Sequence, residues 1–163
     1  MTKNYIVEIK EITRIIKQKG SVKVKEGHGK VLELSSMEAW SSSRYGSEGI
    51  FLIFDVFQLR SISEQFSEVS LDVVEFATKP TIYHSIKGRF LQKGPSQDGK
   101  IRFSLIKKDF WNKLLFAYGQ VLILNECEDG EFDFETKDFF PLLSAGTKEM
   151  FLSPEGEIKI LKG

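Results

Sequence analysis

At 163 residues the chain has the length of one ordinary domain, and 41% hydrophobic residues with 14 Phe supply ample core volume. Lys plus Arg and Asp plus Glu both number 23, so no net field draws the protein towards nucleic acid or anionic lipid, although a local basic face is compatible with that balance. The one cysteine, Cys127, cannot close an internal disulfide, the N-terminal stretch is charged throughout, and no apolar run approaches membrane-spanning length. The expectation is a cytoplasmic protein with no membrane partner.

In chain order, Tyr5, Ile6, Ile9, Ile12, Ile15 and Ile16 recur at helical spacing, and Gly20 after Lys17 and Lys19 is a stop. Ser21–Val24 alternates as a strand, and Gly27-His28-Gly29 turns into a second run over residues 30–34. Ser35 and Glu38 have capping-box spacing, which predicts a helix beginning with Met37, Ala39 and Trp40 and broken by Gly46 and Gly49. Ile50–Phe54 reads as a central strand apolar on both faces. Helical stretches follow around Leu59–Phe66 and Leu71–Ala77, then a strand at Thr81–His84. A loop over residues 92–100 leads into the alternating Ile101, Phe103 and Leu105. Asp109–Tyr118 is a helix stopped by Gly119, and Val121–Leu124 is a buried strand. An acidic stretch with interleaved Phe132 and Phe134 follows, read as a charged edge strand around a turn at Asp129-Gly130. The end forms a hairpin over a Pro154-Glu155-Gly156 turn with Ile158 and Ile160 on one face. Strands alternating with helices, plus a terminal hairpin, predict one domain over 1–163 built on a mixed α/β sheet.

No intact catalytic constellation accompanies these elements. Gly94 to Lys100 matches G-x-x-x-x-G-K, but Ile101 stands where a P-loop needs Ser or Thr, and a strand follows instead of a helix. Two His and one Cys, far apart in sequence, offer no metal-ligand spacing. Acidic neighbours of Cys127 disfavour its thiolate, and His28 between two glycines reads as a solvated turn residue. Lys87, Arg89, Lys93, Lys100 and Arg102 surround Phe90, a pattern able to grip a nucleotide or single-stranded RNA, or simply a solvated face.

Taken as an ordered series, the chain resembles the YrdC family of threonylcarbamoyl-AMP synthases, which act in tRNA modification. The strand KPTIY, the loop running to DGKIR, the helix DFWNKL, the strand after FAYGQV and the closing GEIKILKG carry the resemblance. It implies an α/β fold with a YrdC-like twisted mixed sheet flanked by helices. It also implies that the family's functional positions are largely altered. The family's P-T-D-T falls on Glu26-Gly27-His28-Gly29, its K-x-R on Ser42-Ser43-Arg44, and its S-x-N on Glu126-Cys127-Glu128. A strand arginine is replaced by Ser104, with Arg102 two residues earlier on the same strand face, and Thr81 matches a family threonine. The expectation is a catalytically degenerate protein with no catalytic residue, no metal and no cofactor. Arg44, Thr81 and Arg102 are its candidate ligand-binding residues in the old groove, and Lys87, Arg89, Lys93 and Lys100 form a basic loop. The expected partner is RNA or a nucleotide. The alternative is an interaction module that binds itself or another protein, motivated by the Phe-rich acidic stretch Glu131–Phe140.

Overall fold

A computed structural model of the chain describes residues 5–127, 130–143 and 146–163. Helix α1 (Tyr5–Lys19) buries Ile9, Ile12, Ile15 and Ile16 along one stripe, and the Gly20 amide closes it on the Ile16 carbonyl. The hairpin β1 (Ser21–Lys25) and β2 (Val31–Ser36) follows as the alternation predicts.

The predicted helix at Ser35 is not there. Ser36 Oγ accepts the Ala39 amide at 3.0 Å and closes a single turn, and the only helix in this stretch is α2 (Ser42–Tyr45). Met37 and Trp40 pack into the core instead of extending an amphipathic stripe. Strand β3 (Ile50–Ile53) is fully buried, as its apolar run requires. The helical stretch expected around Leu59–Phe66 is a 3-10 helix at Val56–Ser61, started where Asp55 accepts the Phe57 amide at 2.9 Å. Helix α3 (Glu68–Glu75) is capped by Ser67, and β4 (Thr81–Ile86) and β5 (Lys100–Leu105) form an antiparallel pair. Helix α4 (Asp109–Tyr118) ends at left-handed Gly119, and β6 (Leu122–Asn125) comes next. Strand β7 (Phe134–Glu135) reduces the predicted acidic strand to two residues, and β8 (Lys148–Leu152) and β9 (Ile158–Lys162) make the terminal hairpin.

Among the described residues, nine strands form one mixed sheet in the order β7-β1-β2-β6-β3-β5-β4-β8-β9. Helices α1 and α4 cover one face over β1, β2, β6 and β3, around Leu34, Leu52, Phe110, Trp111 and Leu122. The 3-10 helix and α3 cover the opposite face over β3, β5, β4 and β8, around Phe51, Ile62, Tyr83, Phe103 and Leu152. Among the described residues, two regions lie outside the cover of these four elements: the second face over β1 and β2, which only short α2 crosses, and the first face over β5, β4 and β8. The strand alternation makes the former polar and the latter mixed, with His84, Lys100, Arg102 and Glu149 beside Ile82, Ile86 and Phe151.

Candidate functional site

Over β1 and β2, the residues opposite Val22, Val24, Leu32 and Leu34 are Ser21, Lys23, Glu33 and Ser35, and β6 adds Asn125. Short α2 lays Arg44 and Tyr45 across them. Arg44 Nη2 and Tyr45 Oη both donate to Glu33 Oε2 at 3.0 Å, and the guanidinium sits 4.8 Å from the Tyr45 ring centroid. Burial pushes the Tyr45 phenol up; a hydrogen bond with Ser21 opposes this and Glu33 adds to it. Asn125 Nδ2 donates to Ser35 Oγ at 2.9 Å, while its Oδ1 is buried without a hydrogen-bond partner among the described residues. The remaining hollow, about 240 Å³, is lined by Lys19, Lys23 and Arg44 but also by Glu33, Glu131 and Asp133. Lys19 already pairs with Asp133 at 3.5 Å. Cations and carboxylates offset one another there, which leaves little attraction for a polyphosphate.

The hairpin turn behind this face forms at Gly27-His28-Gly29 as the sequence predicts, and Glu26 holds it. Glu26 is a carboxylate with no exposed side-chain surface. It accepts the amides of His28 at 2.5 Å, Lys30 at 3.1 Å and Phe140 at 3.1 Å, and its Oε1 lies 2.5 Å from His28 Nδ1. Burial alone would raise this carboxyl; the imidazole and the three N–H groups outweigh it and hold Glu26 below the usual carboxylate range. His28 is half exposed, as a turn residue should be, yet it is tied to Glu26 and packs 4.5 Å from the Phe139 ring. Glu128, aligned with the family's S-x-N, and the turn expected at Asp129-Gly130 lie wholly or partly outside the described residues.

The three candidate ligand residues are not brought together. Arg44 lies over β2 beside Glu33. Thr81 is buried at the start of β4, with its hydroxyl on the Lys79 carbonyl at 2.9 Å and its carbonyl accepting Ser104 Oγ at 2.6 Å. Arg102 projects from the face of β5 opposite Ile101 and Phe103, and therefore from the other side of the sheet to Arg44.

The basic loop also divides. Lys93 Nζ is engaged by the Glu38 carbonyl at 2.7 Å, and the Lys87 amide pairs with the Gly99 carbonyl at 2.9 Å. Lys100 sits with Arg102 and His84 at the end of the β4–β5 pair. Arg89 instead edges an open groove of about 650 Å³ between the 3-10 helix and the start of the loop. Leu59, Phe66, Leu71 and Leu91 form its apolar lining. Phe57 is 71% exposed and Phe90 85%, and both line the groove together with Arg60 and Arg89. Glu64 is the one acidic residue among those lining it, 3.7 Å from Arg89. The sequence pointed to Arg89 and Phe90 through their adjacency. Phe57 and Arg60 were missed because only the fold brings residues about thirty positions away to the same groove.

The path of the loop over the sheet is fixed at two places. Gly94 has φ +123°, and a Cβ there would overlap the Phe51 ring, so only glycine lets the chain pass this close. Asp98 and Gly99 both have positive φ, and Gln97 and Lys100 exchange backbone hydrogen bonds of 2.9 Å across them. The G-x-x-x-x-G-K match is therefore a tight turn entering a strand.

No family model matches the sequence, and no curated protein is detectably similar to it. Solved structures are similar in fold. The chain superposes on E. coli YciO with TM-score 0.69 at 11% identity, covering 99% of this chain and 90% of that one. On P. abyssi Sua5 the TM-score is 0.70 at 11% identity, covering 95% of this chain and 53% of Sua5. On full-length HypF, solved in a phosphate- and nucleotide-bound form, it is 0.67 at 16% identity, covering 94% of this chain and 28% of HypF. The fold is YrdC-like. The chain thus spans about half of Sua5 and little more than a quarter of HypF. Among the described residues of this YrdC-like sheet, no cluster of three His, Cys, Asp or Glu side chains could hold a metal ion, and no helix is long and apolar enough to cross a membrane.

Proposed function

We propose that this YrdC-like chain binds single-stranded RNA or a free nucleotide through the Phe57–Phe90 groove and does not carry out acyl-adenylate synthesis. The groove carries the reading: two exposed aromatic rings and two guanidinium groups face one open space with a single carboxylate among them. Aromatic faces stack on bases irrespective of sequence, and Arg supplies phosphate and cation–π contacts. The nucleotide-bound HypF structure supports the same ligand class. The charge-balanced hollow around Arg44 and Glu33 supports the loss of polyphosphate handling, because synthesis of an acyl-adenylate depends on an excess of cationic and N–H donors around ATP.

Fluorescence anisotropy with a labelled 12-nucleotide RNA, and competition by AMP and ATP, tests the reading. Binding is expected to weaken steeply with salt. Phe90→Ala should lower affinity by about tenfold, in line with roughly 1–3 kcal/mol per stacked base. No binding at high micromolar protein in low salt overturns the reading, and so does threonine- and bicarbonate-dependent pyrophosphate release from ATP.

A second reading has its own observation. Strand β9 is a sheet edge along which all five residues are exposed, including Ile158, Ile160 and Leu161. Such an edge is a template for pairing with another chain, which supports an interaction module. A strictly monomeric species by sedimentation over a wide concentration range counts against self-association.

A further inference from the structure

We propose that the hollow at the turn end of the β4–β5 pair is a phosphoryl-binding site, distinct from the aromatic groove. Lys100 and Arg102 are alternate residues of β5 and share one face of it, and His84 is the direct antiparallel partner of Arg102. The three line a hollow of about 200 Å³ with Ser47, Ser96 and Gln97. Two cationic groups, an imidazole, two hydroxyls and an amide around one space form a donor set that suits a tetrahedral oxyanion.

The two basic side chains are available. Among the described residues no hydrogen bond or ion pair engages the Arg102 guanidinium, and the Lys100 ammonium rests only over the Phe151 ring, 5.5 Å from its centroid. Two acids are near: Asp98 of the turn also lines the hollow, against Lys100 and Arg102, and Glu149 is taken up by His84, its Oε1 lying 2.5 Å from Nε2. The frame is also preset. The Gln97–Lys100 turn is closed by two backbone hydrogen bonds of 2.9 Å, and Gln97 Nε2 ties it to Ser47 Oγ at 2.8 Å. Groups held in this way lose little freedom when an anion arrives. Size selects the ligand: the hollow is smaller than the roughly 300 Å³ at which pockets for drug-sized molecules begin, so a phosphoryl head enters and a nucleoside stays outside. The same chemistry is offered by free phosphate, a nucleoside monophosphate and the phosphodiester of an oligonucleotide.

The test is a titration of the isotope-labelled chain with inorganic phosphate, AMP and a dinucleotide, following the His84 ring and the Arg102 Nε–Hε resonance by NMR. Saturable shifts at both residues are expected, and the ligand that saturates at the lowest concentration identifies the source. In Lys100→Ala/Arg102→Ala these affinities should fall at least tenfold, whereas Phe57→Ala/Phe90→Ala should leave phosphate binding unchanged. If none of the three ligands moves Arg102 or His84, or if Arg102→Glu binds phosphate as the unaltered chain does, the site is refuted. Neither result depends on RNA binding at the groove. Conversely, loss of RNA binding in the phenylalanine variant with phosphate binding intact separates the two surfaces.

Discussion

The two ends of the sheet treat their polar side chains in opposite ways. At the β1–β2 end, Glu26 is surrounded by an imidazole and three amide donors, and Glu33 by a guanidinium and a phenol. At the β4–β5 end, Arg102 has no such partner among the described residues, and Arg60 and Arg89 stand at an open groove beside two exposed phenylalanines. The first arrangement is what a buried charge needs in order to be tolerated; the second, apart from the exposed Arg89–Glu64 pair and the His84–Glu149 pair, leaves donors and aromatic faces open to something outside the chain. Where the partners are internal, polar residues hold the fold, and substitution there should be read out as stability. Where they are absent, it should be read out as binding.

The largest expected effect breaks the saturated end. Glu26→Ala strands three amide donors in the interior and should cost about 3–5 kcal/mol of unfolding free energy in a denaturant titration. The same carboxyl gives the comparison a pH axis. Its folded-state pKa lies below the unfolded value, so its contribution is complete above about pH 4.3 and disappears as pH falls through the folded pKa. Stability curves recorded from pH 7 to pH 2 should show that loss, and Glu26→Gln should flatten it.

Gly94→Ala comes next, at about 2 kcal/mol, because the new Cβ meets the Phe51 ring at a backbone angle that alanine disfavours. A lowered Tm is expected, together with weaker RNA binding, since the loop carrying Phe90 is anchored there. Arg44→Ala should cost about 1 kcal/mol, since it takes one of two donors from nearly buried Glu33 but removes a half-exposed side chain. Arg89→Ala is the smallest in stability, within about 0.5 kcal/mol. It should nevertheless reduce the slope of log affinity against log salt by about one, whereas Arg44→Ala leaves that slope unchanged. Equal salt slopes for the two arginine variants would dissolve the distinction between the ends.

Most of the frame was legible in the sequence because single-period patterns wrote it. Ile9, Ile12 and Ile16 mark α1, Gly119 ends α4, and the apolar run at Ile50 makes β3. The stretch from Ser35 to Tyr45 misled because Ser35 and Glu38 satisfy a local capping pattern, while the core draws in Met37 and Trp40 and the chain can spare only one turn. At the candidate sites, Arg89 with Phe90 was visible as neighbours in sequence. His84 beside Arg102 depends on strand register, and Phe57 opposite Phe90 on the crossing of two distant segments, neither of which composition reveals. The role of Glu26 was hidden for a related reason: its partners include the amide of Phe140, 114 residues away.

That separation has a consequence for how the molecule is made. The β1–β2 hairpin is local and can form as soon as its residues are available, but the carboxylate at its turn is complete only when the segment carrying Phe140 returns and β7 aligns beside β1. Until then Glu26 is a partly satisfied charge facing a forming core, and the hairpin has its own reason to stay open. A product stopped short of Phe140 is therefore expected to protect its hairpin amides from solvent exchange less than the full chain does.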